Sequence, residues 1–360
     1  MEGAYQTIDP PAMAEQRYPV EFTGHAGEYF RIWIVNLALT ILTLGVYSAW
    51  AKVRKKRYFY GNTLIDGEPF EYRGNPVSIL KGRAIAAVLL GLNYALSRFY
   101  PVLYVPFLIL LAIAVPWLVC RSLAFNAHNS AYRNITFRFT GGYREALKVV
   151  IGIALLIPLT LGIIYPYYKM RQLRFIADHH RYGTTPFSLQ ARAGSFYRTY
   201  FAAFGLLLGL FVIFGVAVAI IVALRTGAGV HGLKPGGAGA IALTIVLMLP
   251  IYAIYLFVFV FAHVRVTNLV WSNLKIGPVA FDSGLRVGKL FMLYLTNILA
   301  ILFTAGMATP WAAIRAARYR CSMTTVHATD PLENFAAETG RDVSATGEAV
   351  SEMFDIDIGL

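Results

Sequence analysis

The sequence predicts an all-α polytopic membrane fold with internal tandem repeats, its short β-hairpin linkers forming a small layer at the membrane surface. Three observations lead there. Apolar residues make up 57% of the 360 and charged residues only 14%, against about 25% charged in an average soluble protein. Mean hydropathy is +0.57. Seven apolar stretches nearly free of charge fall near 30–50, 84–97, 102–119, 149–168, 199–224, 239–262 and 290–314. About 20 such residues suffice for a helix to cross a bilayer, a length that 84–97 does not reach. Finally, one pattern recurs five times without a gap.

The pattern couples the end of an apolar helix to a basic, aromatic cap and a short turn-rich segment. Its first copy runs Thr43-Leu44-Gly45, then Trp50, Arg54, Arg57, Tyr58, Asn62 and Phe70. The second keeps Trp117, Arg121, Asn129 and Phe137. Thr160-Leu161-Gly162, Tyr167, Arg171, Arg174, Phe175, His179 and Phe187 make the third. The fourth has Phe261, Arg265, Asn268, Asn273 and Phe281; the fifth has Thr304, Gly306, Trp311, Arg315, Arg318 and Tyr319. Uninterrupted register at so many positions reads as duplication of one membrane unit.

In chain order, residues 1–20 mix charges and prolines, lack the apolar core of a signal peptide and read as a disordered tail. The membrane domain then covers 21–325. Phe22-Thr23-Gly24 opens the first unit and returns as Phe139-Thr140-Gly141. Between cap and next helix, Asn62 to Tyr72 alternates around an Asp66-Gly67 turn and predicts a hairpin, as does Asn134 to Phe139. Lone hairpins are marginal in water, so these are expected to pair or to pack on the basic helix ends. The apolar segments follow a one-two-one-two-one rhythm, and the single ones carry Thr43, Thr160 and Thr304. Thr226 to Gly239 reads as a flexible glycine-rich loop. From 326 to 360 the chain is acidic and reads as a disordered tail.

The net charge of +13 sits mainly in the linkers that follow each cap. That placement points to the cytoplasmic face and anionic lipid rather than to nucleic acid. Topology is left open. If all seven segments span, the third and fourth basic linkers fall outside, against the charge bias. If the three single segments are re-entrant, all basic linkers stay inside, and Gly45, Gly162 and Gly306 make such a break feasible. Length favours the first arrangement and charge the second.

Two sets of residues are candidates for function. Arg54, Arg57, Arg121, Arg171, Arg174, Arg315 and Arg318 are candidate contacts for an anion or lipid headgroup, against a plain anchoring role in an aromatic belt. Asn36 and Asn297, each seven residues before the motif Thr, are candidate intramembrane polar positions, against simple helix–helix hydrogen bonding. No Asp or Glu lies inside an apolar segment, which weighs against an acidic ion relay. Catalytic motifs, metal spacings and cofactor fingerprints are absent, and Cys120 and Cys321 form no framework. The expectation is a protein that is not an enzyme and uses no cofactor.

The run Leu42 to Tyr47 with Trp50-Ala51-Lys52, Arg54, Arg57-Tyr58, Asn62-Thr63, Phe70 and Gly74 resembles the YjgN-like family of bacterial inner-membrane proteins. So do Phe22-Thr23-Gly24 and Tyr132-Arg133-Asn134 with Phe137 and Phe139. The likeness spans most of 20–325; Phe261 in place of the Trp and the acidic tail depart from it. That family is defined by a domain of unknown function, so the resemblance implies a multi-pass inner-membrane protein and no substrate. The expected role is a non-enzymatic one, binding anionic lipid or organising partners. The alternative is a transporter or channel for a small solute, anionic ones included.

Overall fold

The computed structural model describes residues 16–227, 238–329, 331–335 and 339. One order of elements, strand, helical arm, helical arm, strand, occurs five times. The first unit is β1 (Gln16–Phe22), α1 (Ala26–Leu42), α2 (Ser48–Gly61) and β2 (Thr63–Ile65). The second is β3 (Glu68–Tyr72), α3 (Pro76–Phe99), α4 (Pro101–His128) and β4 (Ser130–Tyr132). In the third, β5 (Ile135–Phe139) leads to α5 (Tyr143–Leu147), a π-helical stretch Lys148–Ile153 and α6 (Ala154–Leu159), which together make one arm. It returns through α7 (Tyr165–Asp178) to β6 (His180–Tyr182). The fourth is β7 (Thr185–Leu189), α8 (Ala193–Gly227), α9 (Ala238–Trp271) and β8 (Leu274–Ile276). The fifth is β9 (Val279–Ser283), α10 (Val287–Phe303), α11 (Thr309–Ser322) and β10 (Thr324–Ala328).

The strands correct the predicted class. They are not loose linkers beneath an all-α fold but a closed antiparallel barrel, ordered β1-β10-β9-β8-β7-β6-β5-β4-β3-β2. The two strands of each unit pair with each other, as in Val20↔Ile65 and Phe187↔Ile276. Tight turns join neighbouring units, with positive φ at Asp66-Gly67 and Arg133-Asn134, the backbone a two-residue hairpin needs. Closure comes from β1 against β10, with Gln16↔Ala328 and Pro19↔Thr325. A closed barrel has no edge to protect, which makes strands of three to five residues viable. Both tail boundaries move as a result. Residues 16–20 belong to β1, and 326–328 to β10, while 332–335 form a helical turn. Residues 1–15, most of the glycine-rich loop (228–237) and 340–360 lie outside the described residues.

All five arm pairs rise from one mouth of the barrel, and each arm packs on its ring neighbours, with α1 against α11 completing the circle. Buried side chains form a collar where arms meet barrel: Tyr29, Tyr58 and Ile314; Met170 and Phe196; Val264 and Leu290. Beyond the collar the layer is one helix thick. Four helices are long and apolar enough to cross a membrane, lying within α3, α4, α8 and α9, and at most 11% of each apolar window is buried.

The three single segments do not run straight. Each is the first arm of a short pair that reverses at Thr-Leu-Gly or Thr-Ala-Gly. At the first tip Gly45 N donates to Thr40 O at 2.8 Å and Leu44 N to Ile41 O at 3.1 Å, a Schellman stop. Thr43 Oγ1 donates to Leu39 O and accepts from Tyr47 N. Gly162 and Gly306 repeat the bond to Ile157 O and Ile301 O, both at 2.8 Å. Leu44, Leu161 and Ala305 take φ near 50°, a left-handed conformation costing a residue with a Cβ about 1–2 kcal/mol. Leu44 is 96% exposed and Leu161 92%. Both ends of every arm pair therefore return to the barrel, and every basic linker sits on the same side.

Recurrent contacts hold each unit shut. The residue after the entering strand donates its N–H to a carbonyl at the end of the second arm: Thr23 to Asn62, Arg73 to Asn129, Thr140 to His179, Gln190 to Asn273 and Gly284 to Met323, all 2.8–3.0 Å. Asn62, Asn129 and Asn273 also bond the carbonyl four residues back. That explains the recurring Asn. The Phe-Thr-Gly motif has a steric cause, because the aromatic ring folds back over the glycine. A Cβ on Gly141 would meet Phe139 at 2.4 Å, and one on Gly74 would meet Tyr72 at 2.6 Å. The fourth unit instead carries Leu189 and Ala191. Gly141→Ala should therefore destabilise by about 1–3 kcal/mol, read as a lower melting temperature. Adding Phe139→Leu should recover part of the loss, as a double-mutant cycle would show.

Candidate functional site

The candidate arginines fall into two tiers on the second arms. Arg54, Arg121, Arg171, Arg265 and Arg315 each follow an aromatic residue by four positions, which stacks them on one helix face. The guanidinium lies 5.6 Å from the Trp117 ring at Arg121, 5.4 Å from Phe261 at Arg265 and 5.1 Å from Trp311 at Arg315. One such arginine sits on each arm pair, so the tier forms a belt around the ring. It does not converge on a central point.

Arg315 differs from Arg54 and Arg121, which are exposed. Its Nη1 donates to Thr296 Oγ1 at 2.6 Å and to Asn297 Oδ1 at 3.3 Å, and Asn297 in turn donates to Ala312 O at 3.3 Å. Asn297 thus ties α10 to α11 and is buried. Asn36, its counterpart on α1, is also buried, and its Oδ1 has no hydrogen-bond partner among the described residues.

The second tier, three residues on, holds units together. Arg174 donates to Ala191 O at 2.7 Å, and Arg318 to Gly24 O at 3.0 Å. Each joins the second arm of one unit to the entry of the next, and Arg318 joins the last unit to the first. Arg57 is exposed, and Arg171 is half-buried with no hydrogen-bond partner for its Nε among the described residues. Tyr58 OH bridges His25 N and O, and Tyr319 OH accepts from Arg286 N, so the aromatic beside this tier pins the first arm in the first and fifth units. The paired histidines are structural too. His179 Nδ1 donates to Phe175 O and His180 Nδ1 to Ile176 O.

A further site escapes the sequence pattern. Between α8, α9 and the start of α10 lies a cavity of about 620 Å³, lined by Ser195, Arg198, Thr199, Arg265 and Asn268 among others. Asn268 is fully engaged. It donates to Leu285 O and accepts from Ser283 Oγ and Leu285 N, which sets the entry of α10. Thr199 Oγ1 already donates to Ser195 O at 2.9 Å, which leaves two guanidinium groups and the Ser195 hydroxyl among the lining residues. No carboxylate lines it, and the ion pairs among the described residues, Arg73–Glu71, Arg133–Asp66 and His179–Glu145, involve none of the belt arginines. Two uncompensated guanidinium groups with a hydroxyl beside them suit a phosphate or carboxylate. Arg265 was findable as the aromatic-plus-four position of the fourth copy. Arg198 lies on a first arm, out of register, and had no signal. Neither this cavity nor the barrel lumen is lined by Asn36 or Asn297.

A family profile described as "Bacterial protein of unknown function (DUF898)" matches residues 17–353, from β1 to beyond β10. The chain belongs to this family. Two relatives are named "Inner membrane protein YjgN". The one from Salmonella typhimurium is 31% identical over 147 residues, 40% of this chain and 36% of the relative. The one from Escherichia coli K12 is 25% identical over 150 residues, again 40% and 36%. The matched stretch thus spans little more than a third of these relatives' length. No solved structure matches. For this DUF898 chain, the two tiers make different demands on arginine. Arg174→Lys and Arg318→Lys should each lower stability by about 1 kcal/mol, since the fork to a carbonyl is lost. Arg54→Lys should leave the melting temperature unchanged.

Proposed function

We propose that this protein is a multi-pass inner-membrane protein that holds anionic lipid and is not an enzyme. The carrying observation is the pairing of uncompensated arginines at the arm bases with apolar arms uncovered on their faces. Supporting it, α8 and α9 offer no polar stripe, and a helix apolar all round belongs in lipid. A ring one helix thick needs lipid on its open surfaces. The exposed, left-handed leucines at the short tips suit insertion part-way into the hydrocarbon. The names of the two relatives support the membrane assigned. The recurrent clasps of the five units support descent from one duplicated unit.

In this arrangement α3, α4, α8 and α9 cross the bilayer, and the three short arm pairs enter and return. The barrel, carrying the basic linkers, faces the cytoplasm by the charge bias. The cavity of Arg198 and Arg265 receives a phosphate headgroup at the inner leaflet. The lipid-binding reading is favoured over a solute pathway because the membrane arms supply no polar lining and no intramembrane carboxylate.

Cysteines placed at Ser188 and Lys275 in the barrel should resist a membrane-impermeant maleimide in intact spheroplasts and react after lysis. Labelling from outside at either position would reject the topology. Native mass spectrometry should detect bound phosphatidylglycerol on wild-type protein, and the Arg198→Gln/Arg265→Gln pair should weaken it at least tenfold. Arg54→Lys/Arg57→Lys should keep full occupancy. Unchanged lipid in the Arg198/Arg265 variant, or solute flux in proteoliposomes, would favour the transporter reading.

A further inference from the structure

The inward side chains of the barrel do not fill it. A cavity of about 350 Å³ runs inside, walled by Val20, Ile65, Tyr132, Tyr182, Val279 and Val326 among others, within the usual range of about 300–1,000 Å³ for ligand sites. Its polar atoms are already used. Tyr132 OH donates to Ile65 O at 2.8 Å and Tyr182 OH to Tyr132 O at 3.1 Å. Burial pushes both phenols above their ordinary pKa, so they stay neutral. Nothing remains on the wall to bind a polar solute, and an apolar void of this kind stays dry and takes apolar guests.

The two ends differ. On the turn side the chain beyond β10 packs into the lumen: Phe335 stacks on Tyr182 at 5.9 Å between centroids, and Leu332 packs with Val279 and Val326. At the other end, where the arms rise, Trp271, Arg320 and Cys321 line the space. Arg320 is exposed, and among the described residues its guanidinium makes one hydrogen bond, from Nε to Ala316 O at 3.3 Å. The site is therefore apolar along its depth, narrowed by Leu332 and Phe335 at the far end, and among the described residues its lining carries one positive charge, Arg320, at the rim beside the membrane arms.

We propose that the barrel lumen binds a single acyl chain, whose anionic head meets Arg320 at the rim. The chain belongs to a free fatty acid or to an acidic membrane lipid; both present the same chemistry to this site. The proposal deepens the lipid-binding reading, resting on it only for the placement of the rim at the membrane, and it uses none of the residues of the Arg198 cavity.

The test uses the full-length protein in detergent, with a fatty acid and a phosphatidylglycerol that each carry a diazirine near the chain end. Photolysis and peptide mapping should place adducts on 271–281 and 320–335, competed by excess oleate. Adducts from the fatty acid, the phospholipid or both support the proposal and identify the source. In a Cys120→Ser background, the ligand should slow maleimide reaction at Cys321 at least fivefold. Arg320→Gln should raise the half-saturating concentration about tenfold. Val279→Phe, which fills the lumen, should abolish the lumen adducts, and Arg198→Gln/Arg265→Gln should leave them intact. Should Val279→Phe fail to fold, Cys321 protection in the Cys120→Ser protein decides alone. Adducts confined to the membrane arms, or an unprotected Cys321, would overturn the proposal.

Discussion

The pairing of β1 with β10 is the contact on which the rest of the molecule depends. Strands this short have little stability in pairs, and an open sheet of ten would leave two bare edges. Bringing residue 16 against residue 328 removes both. The same step seats α1 against α11 and lets Arg318 reach Gly24 O. A barrel is all-or-none in a way that a stack of hairpins is not. The strictly antiparallel order, with tight turns between units, also means that every arm pair must leave from and return to one mouth, and this parity decides the side of every basic linker.

The arms then face an unusual balance. Their buried contacts sit at the base, in the collar of aromatic and aliphatic residues, and above it each arm touches little except its ring neighbours. A soluble protein could not leave Leu44, Leu161 and Phe303 uncovered at 83% exposure or more. In the membrane placement proposed above that exposure costs nothing, and hydrogen bonding governs instead. The tips meet this demand with the Schellman stop and the Thr hydroxyl, which satisfy the freed backbone groups where the arm reverses. The strained leucine at the apex keeps the tip apolar where glycine would relax it.

The arginines show how one motif can serve two purposes. The tier that includes Arg174 and Arg318 is spent on backbone carbonyls, so its fork geometry stabilises the ring. In the other tier, Arg121 and Arg265 rest on aromatic faces with hydrogen-bonding capacity to spare. Where a belt residue meets a first-arm arginine, at Arg265 and Arg198, the spare capacity becomes a cavity with two positive groups and no counter-charge. Arg315 stands between the two roles, held by Asn297 and Thr296.

Much of this was legible in the sequence. The turn at Asp66-Gly67 and the four long apolar arms follow from local chemistry: positive-φ glycine and the absence of charge. The membership in a family of bacterial proteins of unknown function was readable from the same residues. What the sequence left open was long-range. It read Gln16 to Val20 as tail because seven residues cannot announce a partner more than 300 positions away. It took the strands for a surface layer because strands of three to five residues alternate too briefly to show a closed lumen. It offered spanning and re-entry as equals because hydropathy measures length and not direction. Arg198 and Arg320 carried no signal, since a site made by neighbouring arms or by a barrel rim has no spacing in the chain. Local propensity sets the elements; only closure of the ring, a property of all ten strands at once, decides what they enclose.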